Sequence, residues 1–285
     1  MRPHQWVKNS LLGVPLVLAF RSSDPASLTK LGLAFVAFSL CASAVYLIND
    51  FLDQKADRTH PTKRHRPFAS GRLPATAVLT AIPLILLAAL SARWVSTHFL
   101  LILGVYFGLT VCYSFYVKHV VLADVFLLAG LYTTRIVAGA IAIEVPLTAW
   151  LLAFSIFFFL SLAFAKRVGE LELLRTNAKI SAPGRDYRFG DVDQLVSFGS
   201  SSAYVAVLVM ALFIQTPDIA ERYHHPLVLW GICPVILYWL SRIWLLTCRG
   251  VLDSDPIVFA LKDRASYGAG LAILTLWLLA AGKMG

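Results

Sequence analysis

Charge is what this 285-residue sequence has least of. Only 14% of its residues are Asp, Glu, Lys or Arg, where a soluble domain carries roughly a quarter. That scarcity, with 58% apolar residues and a mean hydropathy of +0.72, excludes a water-soluble enzyme and a disordered chain. Cysteine is scarce too. Cys41, Cys112, Cys233 and Cys248 form no CxxC or Cys/His spacing, which excludes a disulfide framework and a thiolate metal site, so they read as buried small residues. The seven histidines show no metal-ligand spacing. No internal repeat or low-complexity tract is present. No A-x-A-like cleavage site follows the first apolar run, so the polar, aromatic stretch Met1 to Asn9 does not read as a cleavable signal.

What the chain has in quantity is apolar runs. They fall at approximately 10–20, 29–49, 74–95, 99–117, 120–142, 146–165, 195–215, 226–247 and 265–282. A bilayer core of about 30 Å takes roughly 20 such residues per helix. The expected fold class is an all-α polytopic membrane protein with nine transmembrane helices and a single domain over 1–285. The first run is short and holds Pro15, so it is expected to tilt or to reach back through Trp6.

Sidedness follows from Lys and Arg. The N-terminus, 50–73, the 118–119 turn, 166–194 and 242–264 carry 19 of the 25 basic residues. The other side carries five: Arg21, Lys30, Arg93, Arg222 and Lys283. Arg135 falls within a crossing. The basic side is therefore expected to be cytoplasmic. It also holds 12 of the 16 acidic residues. Carboxylates contribute little to topology, so their crowding there points to a site.

The sharpest candidate ends the second crossing: Asn49-Asp50-Phe51-Leu52-Asp53-Gln54-Lys55-Ala56-Asp57. If the helix continues past the membrane edge, Asp50 and Asp57 differ by about 20° in azimuth and Asp53 lies some 60° away. Like charges so placed destabilise a bare helix, and a divalent cation removes that cost. One or two carboxylates with phosphate completing the shell suit Mg²⁺, so Asp50, Asp53 and Asp57 are the expected metal ligands. Pro61 should stop the helix. Lys63, Arg64 and Arg66 follow at once. Carboxylate-held metal on one flank and guanidinium forks on the other make a diphosphate-binding arrangement.

This N-D-x-x-D-x-x-x-D at the end of a second membrane helix resembles the first motif of the UbiA superfamily of intramembrane prenyltransferases. The resemblance implies nine helices around a central cavity open to the cytoplasmic side. Family members usually carry a second Asp-rich motif, about D-x-x-x-D, after the sixth crossing. This sequence instead has Lys166-Arg167-Val168-Gly169-Glu170-Leu171 there, and Asp186, Asp191 and Asp193 lack the expected spacing. Two cations and one carboxylate stand in place of a second metal site, which favours a donor with phosphates in more than one place.

Arg2 to Asn9, Asp50 to Pro67, Tyr113 to Lys118, Lys166 to Leu171 and Phe259 to Arg264 together resemble the polyprenyl-phosphate phosphoribosyltransferase branch, the decaprenyl-phosphate 5-phosphoribosyltransferases. That likeness implies phosphoribosyl pyrophosphate as donor, a polyprenyl phosphate as acceptor, Mg²⁺ as cofactor and a role in cell-envelope precursor synthesis at the inner membrane. Asp50, Asp53, Asp57, Lys166 and Glu170 are the implied catalytic residues. Gln5, Lys8, Asn9, Asn49, Lys63, Arg64, Arg66, Tyr113, Lys118, Arg135, Arg167, Tyr187 and Lys262 are the implied substrate contacts. Glu170, four residues after Lys166, is expected to orient that lysine or touch a ribose hydroxyl. No nucleic-acid partner is expected, and the oligomeric state stays open, a homo-oligomer included.

Other readings compete. An aromatic prenyltransferase using a prenyl diphosphate predicts a second Asp pair. A transporter predicts polar residues through both membrane halves and a repeat. Arg135 shares a helix face with Asp124 and is either a cavity cation or part of an internal pairing. Asp255 with Pro256 reads as a helix N-cap. Trp6, Trp239 and Trp244 read as interface residues.

Overall fold

The structure, a computed structural model, describes residues 3–58, 63–176, 186–252 and 255–282, with the backbone alone of Pro3, His4, Ala56, Lys63, Leu174 and Thr176. Its helices are α1 (Val14–Leu18), α2 (Pro25–Leu52), α3 (Gln54–Arg58), α4 (Ala81–Val95), α5 (Thr97–Phe115), α6 (Ala123–Ala142), α7 (Ala149–Thr176), α8 (Val192–Ile214), α9 (Pro217–Arg222), α10 (Ile232–Cys248), α11 (Pro256–Ala260) and α12 (Arg264–Ala281). Short 3₁₀ segments join or extend several of them, and the described residues contain no strand. The all-helical expectation holds.

Among the described residues, eight helices are long and apolar enough to cross a bilayer. The first apolar run is built differently. A 3₁₀ helix, Pro3–Gly13, leads into the five residues of α1. The run does reach back through Trp6, as its shortness and Pro15 suggest.

Contacts divide the protein into two compact units, one built on α1–α6 and the other on α7–α12. In the first, α2 starts sharply because Asp24 accepts bonds from Ala26 N and Ser27 N at 3.2 and 3.3 Å, with Pro25 behind it. The Ser27 hydroxyl bond to Asp24 holds that carboxyl below its usual value, against a smaller desolvation effect. Lipid tails are as apolar as leucine, so helices here are held by close packing of small residues. Ala34, Ala37, Cys41, Ala88, Ala92, Ala138 and Ala142 are all buried in one cluster. Phe38 fills its centre, its ring 5.9 Å from Phe99 and 4.8 Å from Tyr106. Gly139 allows the closest approach of all. A Cβ there would lie 2.1 Å from the Leu12 carbonyl oxygen, so only glycine lets the N-terminal segment lie flat on α6.

In the second unit the Trp244 indole donates to Ser161 Oγ at 2.9 Å, and its ring fills the space a Cβ on Gly199 would need. Trp239 donates to Ser266 Oγ; Trp6, in the first unit, donates to Ser43 Oγ. These three indoles bond serines on neighbouring segments and so serve in packing. Buried cysteine is corrected in two of four cases. Cys41 and Cys233 are buried, whereas Cys112 and Cys248 are exposed.

Candidate active site at the acidic helix end

α2 ends at Leu52, and Asp53 leaves the helix with φ −83° and ψ 1°. The backbone hydrogen bonds nevertheless run on. Asp53 N donates to Asn49 O at 2.9 Å and Asp57 N to Asp53 O at 2.8 Å. α3 then carries the chain to Arg58. The expected continuous helix is thus two helices joined at Asp53, with the three aspartates still in helical sequence. Asp50 and Asp57 are buried, and Asp53 is half-buried. His60, Pro61 and Thr62 lie outside the described residues.

Two cations from elsewhere in the same unit meet these carboxylates. Arg66 Nη1 lies 2.7 Å from Asp57 Oδ2 and 3.3 Å from Asp50 Oδ1. Its loop is tied down beside α2 and α3. Phe68 is buried with its ring edge-on to Phe51 at 5.9 Å, and Arg58 Nε donates to Ala69 O. Lys118, in the 3₁₀ turn Val117–His119 after α5, reaches Asp53 Oδ1 at 2.6 Å. Asn49 Nδ2 donates to the other oxygen, Asp53 Oδ2, at 3.0 Å.

Among the described residues no three His, Cys, Asp or Glu side chains converge tightly enough to enclose a metal by themselves. The donor set still fits Mg²⁺, which keeps several waters and takes one or two carboxylates plus phosphate. Asp50 and Asp57 both lie within reach of one guanidinium nitrogen, so a single small cation placed there addresses the two together.

Arg135 is 5% exposed, within a membrane span, where an unmatched charge costs several kcal/mol, roughly 2.5–3.5 on insertion scales. It is matched internally. Nε donates to Asn9 Oδ1 at 3.1 Å, Nη1 to Leu131 O at 2.6 Å and Nη2 to the Tyr106 hydroxyl at 2.8 Å. The rings of Tyr106 and Tyr132 lie 4.8 and 5.6 Å from the guanidinium carbon. Asn9 in turn donates to Ser39 Oγ. Of the two alternatives open for Arg135, the internal pairing is the one built, with Asn9 and Tyr106. Lys8 is buried, 5.6 Å from the Tyr132 ring. Gln5 and Tyr113 are half-buried, and Arg64 is exposed with Nε 3.4 Å from His65 Nε2. The Lys63 side chain lies outside the described residues.

The second unit has its own charged stretch, in the C-terminal part of α7. Lys166 Nζ lies 3.2 Å from Asp255 Oδ2, and Arg167 Nη1 lies 2.6 Å from Glu170 Oε2. Glu170 therefore serves Arg167, three residues before it, and Asp255 serves Lys166. Arg167 is 1% exposed. Asp255 also accepts from Ile257 N at 3.2 Å, which bears out its N-cap reading. Gly169 makes this stretch compact, since a Cβ there would lie 2.7 Å from Leu252 O. Tyr187 is buried, and Lys262 is exposed.

Sequence reasoning missed Tyr106, Ser39 and the bidentate pair of Arg242 with Asp263 at 2.7 and 2.9 Å. A phenol among apolar neighbours gives no pattern to read. Asp263 did carry a signal, an acid three residues ahead of Ser266. It caps α12 through Ser266 N at 2.9 Å. Burial pushes its carboxyl up, but the Arg242 and Ser266 hydrogen bonds more than offset this and hold it below its usual value.

Residues 10–261 match the sequence model of the UbiA prenyltransferase family. The uncharacterized protein y4nM of Sinorhizobium fredii is 39% identical over 98% of this chain, and the chain spans 55% of that relative's length. The nodulation protein NoeC of Azorhizobium caulinodans is 38% identical over 98% of this chain and 91% of its own. The decaprenyl-phosphate phosphoribosyltransferase of Mycobacterium tuberculosis is 39% identical over 63% of this chain and 62% of its own. The chain thus covers less than two thirds of y4nM and of the mycobacterial enzyme. Among solved structures, a UbiA homolog from Archaeoglobus fulgidus bound to GPP and Mg²⁺ has a TM-score of 0.72 over 96% of each chain, at 16% identity.

Proposed function

The chain belongs to the UbiA prenyltransferase family of multi-pass membrane proteins, and within it we propose a Mg²⁺-dependent transferase that moves 5-phosphoribose from phosphoribosyl pyrophosphate to a polyprenyl phosphate. Pyrophosphate is released, on the cytoplasmic side of the inner membrane, in the synthesis of a cell-envelope precursor. One observation carries the reading. After the sixth apolar run, where a prenyl-diphosphate enzyme of the family has a second aspartate pair, this chain has Lys166 and Arg167, each already on a carboxylate. Cations so placed suit a further phosphate group, which both the donor and the lipid acceptor possess. The name of the mycobacterial relative points the same way.

Asp50 and Asp57, with Asp53 beside them, are the residues that hold the metal. When bound, Mg²⁺ supplies charge neutralisation for the leaving pyrophosphate. Arg66, with Arg64 and Lys63 on the same loop, grips diphosphate oxygens. Lys118, Lys166 and Arg167 are the candidates for the acceptor phosphate and the donor 5-phosphate. Arg135 fixes Asn9 and with it the N-terminal segment that carries Gln5 and Lys8. The bond from ribose carbon 1 to pyrophosphate breaks as a lipid phosphate oxygen attacks from the opposite face, with inversion. The nucleophile is ionised at neutral pH, so no general base is needed, and catalysis rests on positioning and charge.

The test gives purified protein radiolabelled phosphoribosyl pyrophosphate, Mg²⁺ and a short polyprenyl phosphate. Lipid-extractable label is expected, falling at least about a hundredfold in Asp50→Ala. An inert donor, with turnover of a prenyl diphosphate and an aromatic acid instead, would replace this reading by that of an aromatic prenyltransferase. The GPP-bound structural neighbour is what keeps that second reading in play.

A further inference from the structure

The cations at the acidic helix end occupy the places their ligand needs. One Arg66 nitrogen sits between Asp50 and Asp57, where a divalent ion would be held, and Lys118 takes an oxygen of Asp53. Both side chains are largely withdrawn from solvent, at 21% and 14% exposure, so these pairs are stronger than open-surface ones. Each cation is also free to turn without moving its anchor. Arg66 hangs from a loop fixed by Phe68 and Ala69, and Lys118 extends on a four-carbon stem from a short turn.

We propose that Arg66 and Lys118 are resident counter-ions exchanged when ligand binds. A divalent cation takes over the carboxylates, and the released guanidinium and ammonium groups turn to the diphosphate oxygens of the same ligand. This rests on the diphosphate reading of the site, not on which sugar or lipid is used. It has a thermodynamic consequence. Metal alone must break ion pairs and leave two cations without partners. Diphosphate alone meets cations already engaged. Together they complete the exchange, so each raises the affinity for the other by the same factor.

The exchange gives one substitution two opposite effects, which loss of structure would not produce. Mn²⁺ is titrated into the full-length protein in detergent and the free ion is read by electron paramagnetic resonance. Separately, retention of radiolabelled inorganic pyrophosphate is measured at fixed Mn²⁺. Arg66→Gln and Lys118→Met, on separate elements, should each tighten Mn²⁺ binding on the order of tenfold while weakening pyrophosphate retention. Arg72→Gln removes a charge from the same loop, where Arg72 is exposed and bonded to Ser70 and to the His65 carbonyl. Its Mn²⁺ affinity should stay at the wild-type value. The proposal is overturned if whichever of the two variants elutes as a folded, monodisperse protein binds Mn²⁺ no more tightly than wild type. It is also overturned if Arg72→Gln tightens binding equally, because the effect would then be the general field of the loop. No sugar or lipid is used, so failure of phosphoribosyl transfer leaves this outcome readable, and the reverse also holds.

Discussion

At the end of α2 the carboxylates are neighbours in sequence and one of their cations, Lys118, comes from 65 residues away. In the C-terminal part of α7, which runs on to Thr176, the cations are the neighbours, and one of their carboxylates, Asp255, comes from 89 residues away. The residue types are the same and the arrangement is reversed. The reversal decides what each end can give up. Arg66 and Lys118 are long, rotatable side chains resting on fixed acids. Lys166 and Arg167 sit side by side on a helix, and Arg167 is 1% exposed and paired with the acid three residues on. The first end is suited to receive a metal, the second to present permanent positive charge.

The largest effect should come from attacking the second end directly. Lys166→Ala is expected to cut lipid-linked label formation on the order of a hundredfold with membrane insertion intact. Asp255→Asn keeps an N-cap residue but removes the partner charge, so it should lower the same rate about tenfold with the thermal midpoint unchanged. If Lys166→Ala stays near wild type, the contrast between the two ends loses its functional meaning.

Each unit also has a glycine at a close backbone approach, and the closer contact should matter more. Gly139→Ala drives a methyl into the Leu12 carbonyl oxygen and should destabilise the protein by about 3 kcal/mol, seen as a lowered thermal midpoint in detergent. Gly169→Ala meets its obstacle at 2.7 Å rather than 2.1 Å and should cost less. Equal or reversed losses would show that local relaxation, not contact distance, sets the cost.

The smallest effects are electrostatic, at pairs away from both helix ends. Asp263 has its proton affinity lowered in the folded state, so its contribution is present above the usual value of 3.8 and is lost as pH falls through the folded value. The thermal midpoint of wild type should fall more between about pH 5 and pH 3 than that of Asp263→Asn. Glu144 receives a 2.6 Å bond from Lys30, and that bond together with the lysine's charge lowers its carboxyl likewise. The pair is mostly exposed, so Glu144→Gln should leave the midpoint unresolved from wild type across the same range.

Much of this was legible from the residues alone. Apolar runs of the right length are a direct consequence of bilayer thickness, and among the described residues eight of them form helices long enough to span. The ninth could not be read so simply, because Pro15 and a short run leave a 3₁₀ segment whose course is set by where it packs. The aspartate motif was legible because helical periodicity is local. The partners were not. Lys118 and Arg66 looked like phosphate ligands, and only folding showed them resting on Asp53, Asp50 and Asp57. Glu170, expected near Lys166 four residues before it, also bonds Arg167, a neighbour on the helix face that side-chain rotation brings within reach.

By itself, then, the order of residues determined a helical membrane protein with its acidic groups gathered in register, since both follow from transfer energy and from the pitch of one helix. Which cation lies on which carboxylate, why a buried arginine is tolerated between two tyrosines and an asparagine, and where glycine lets backbones meet were decided only in the folded chain. Those contacts join residues tens of positions apart, and nothing local encodes the distance between them.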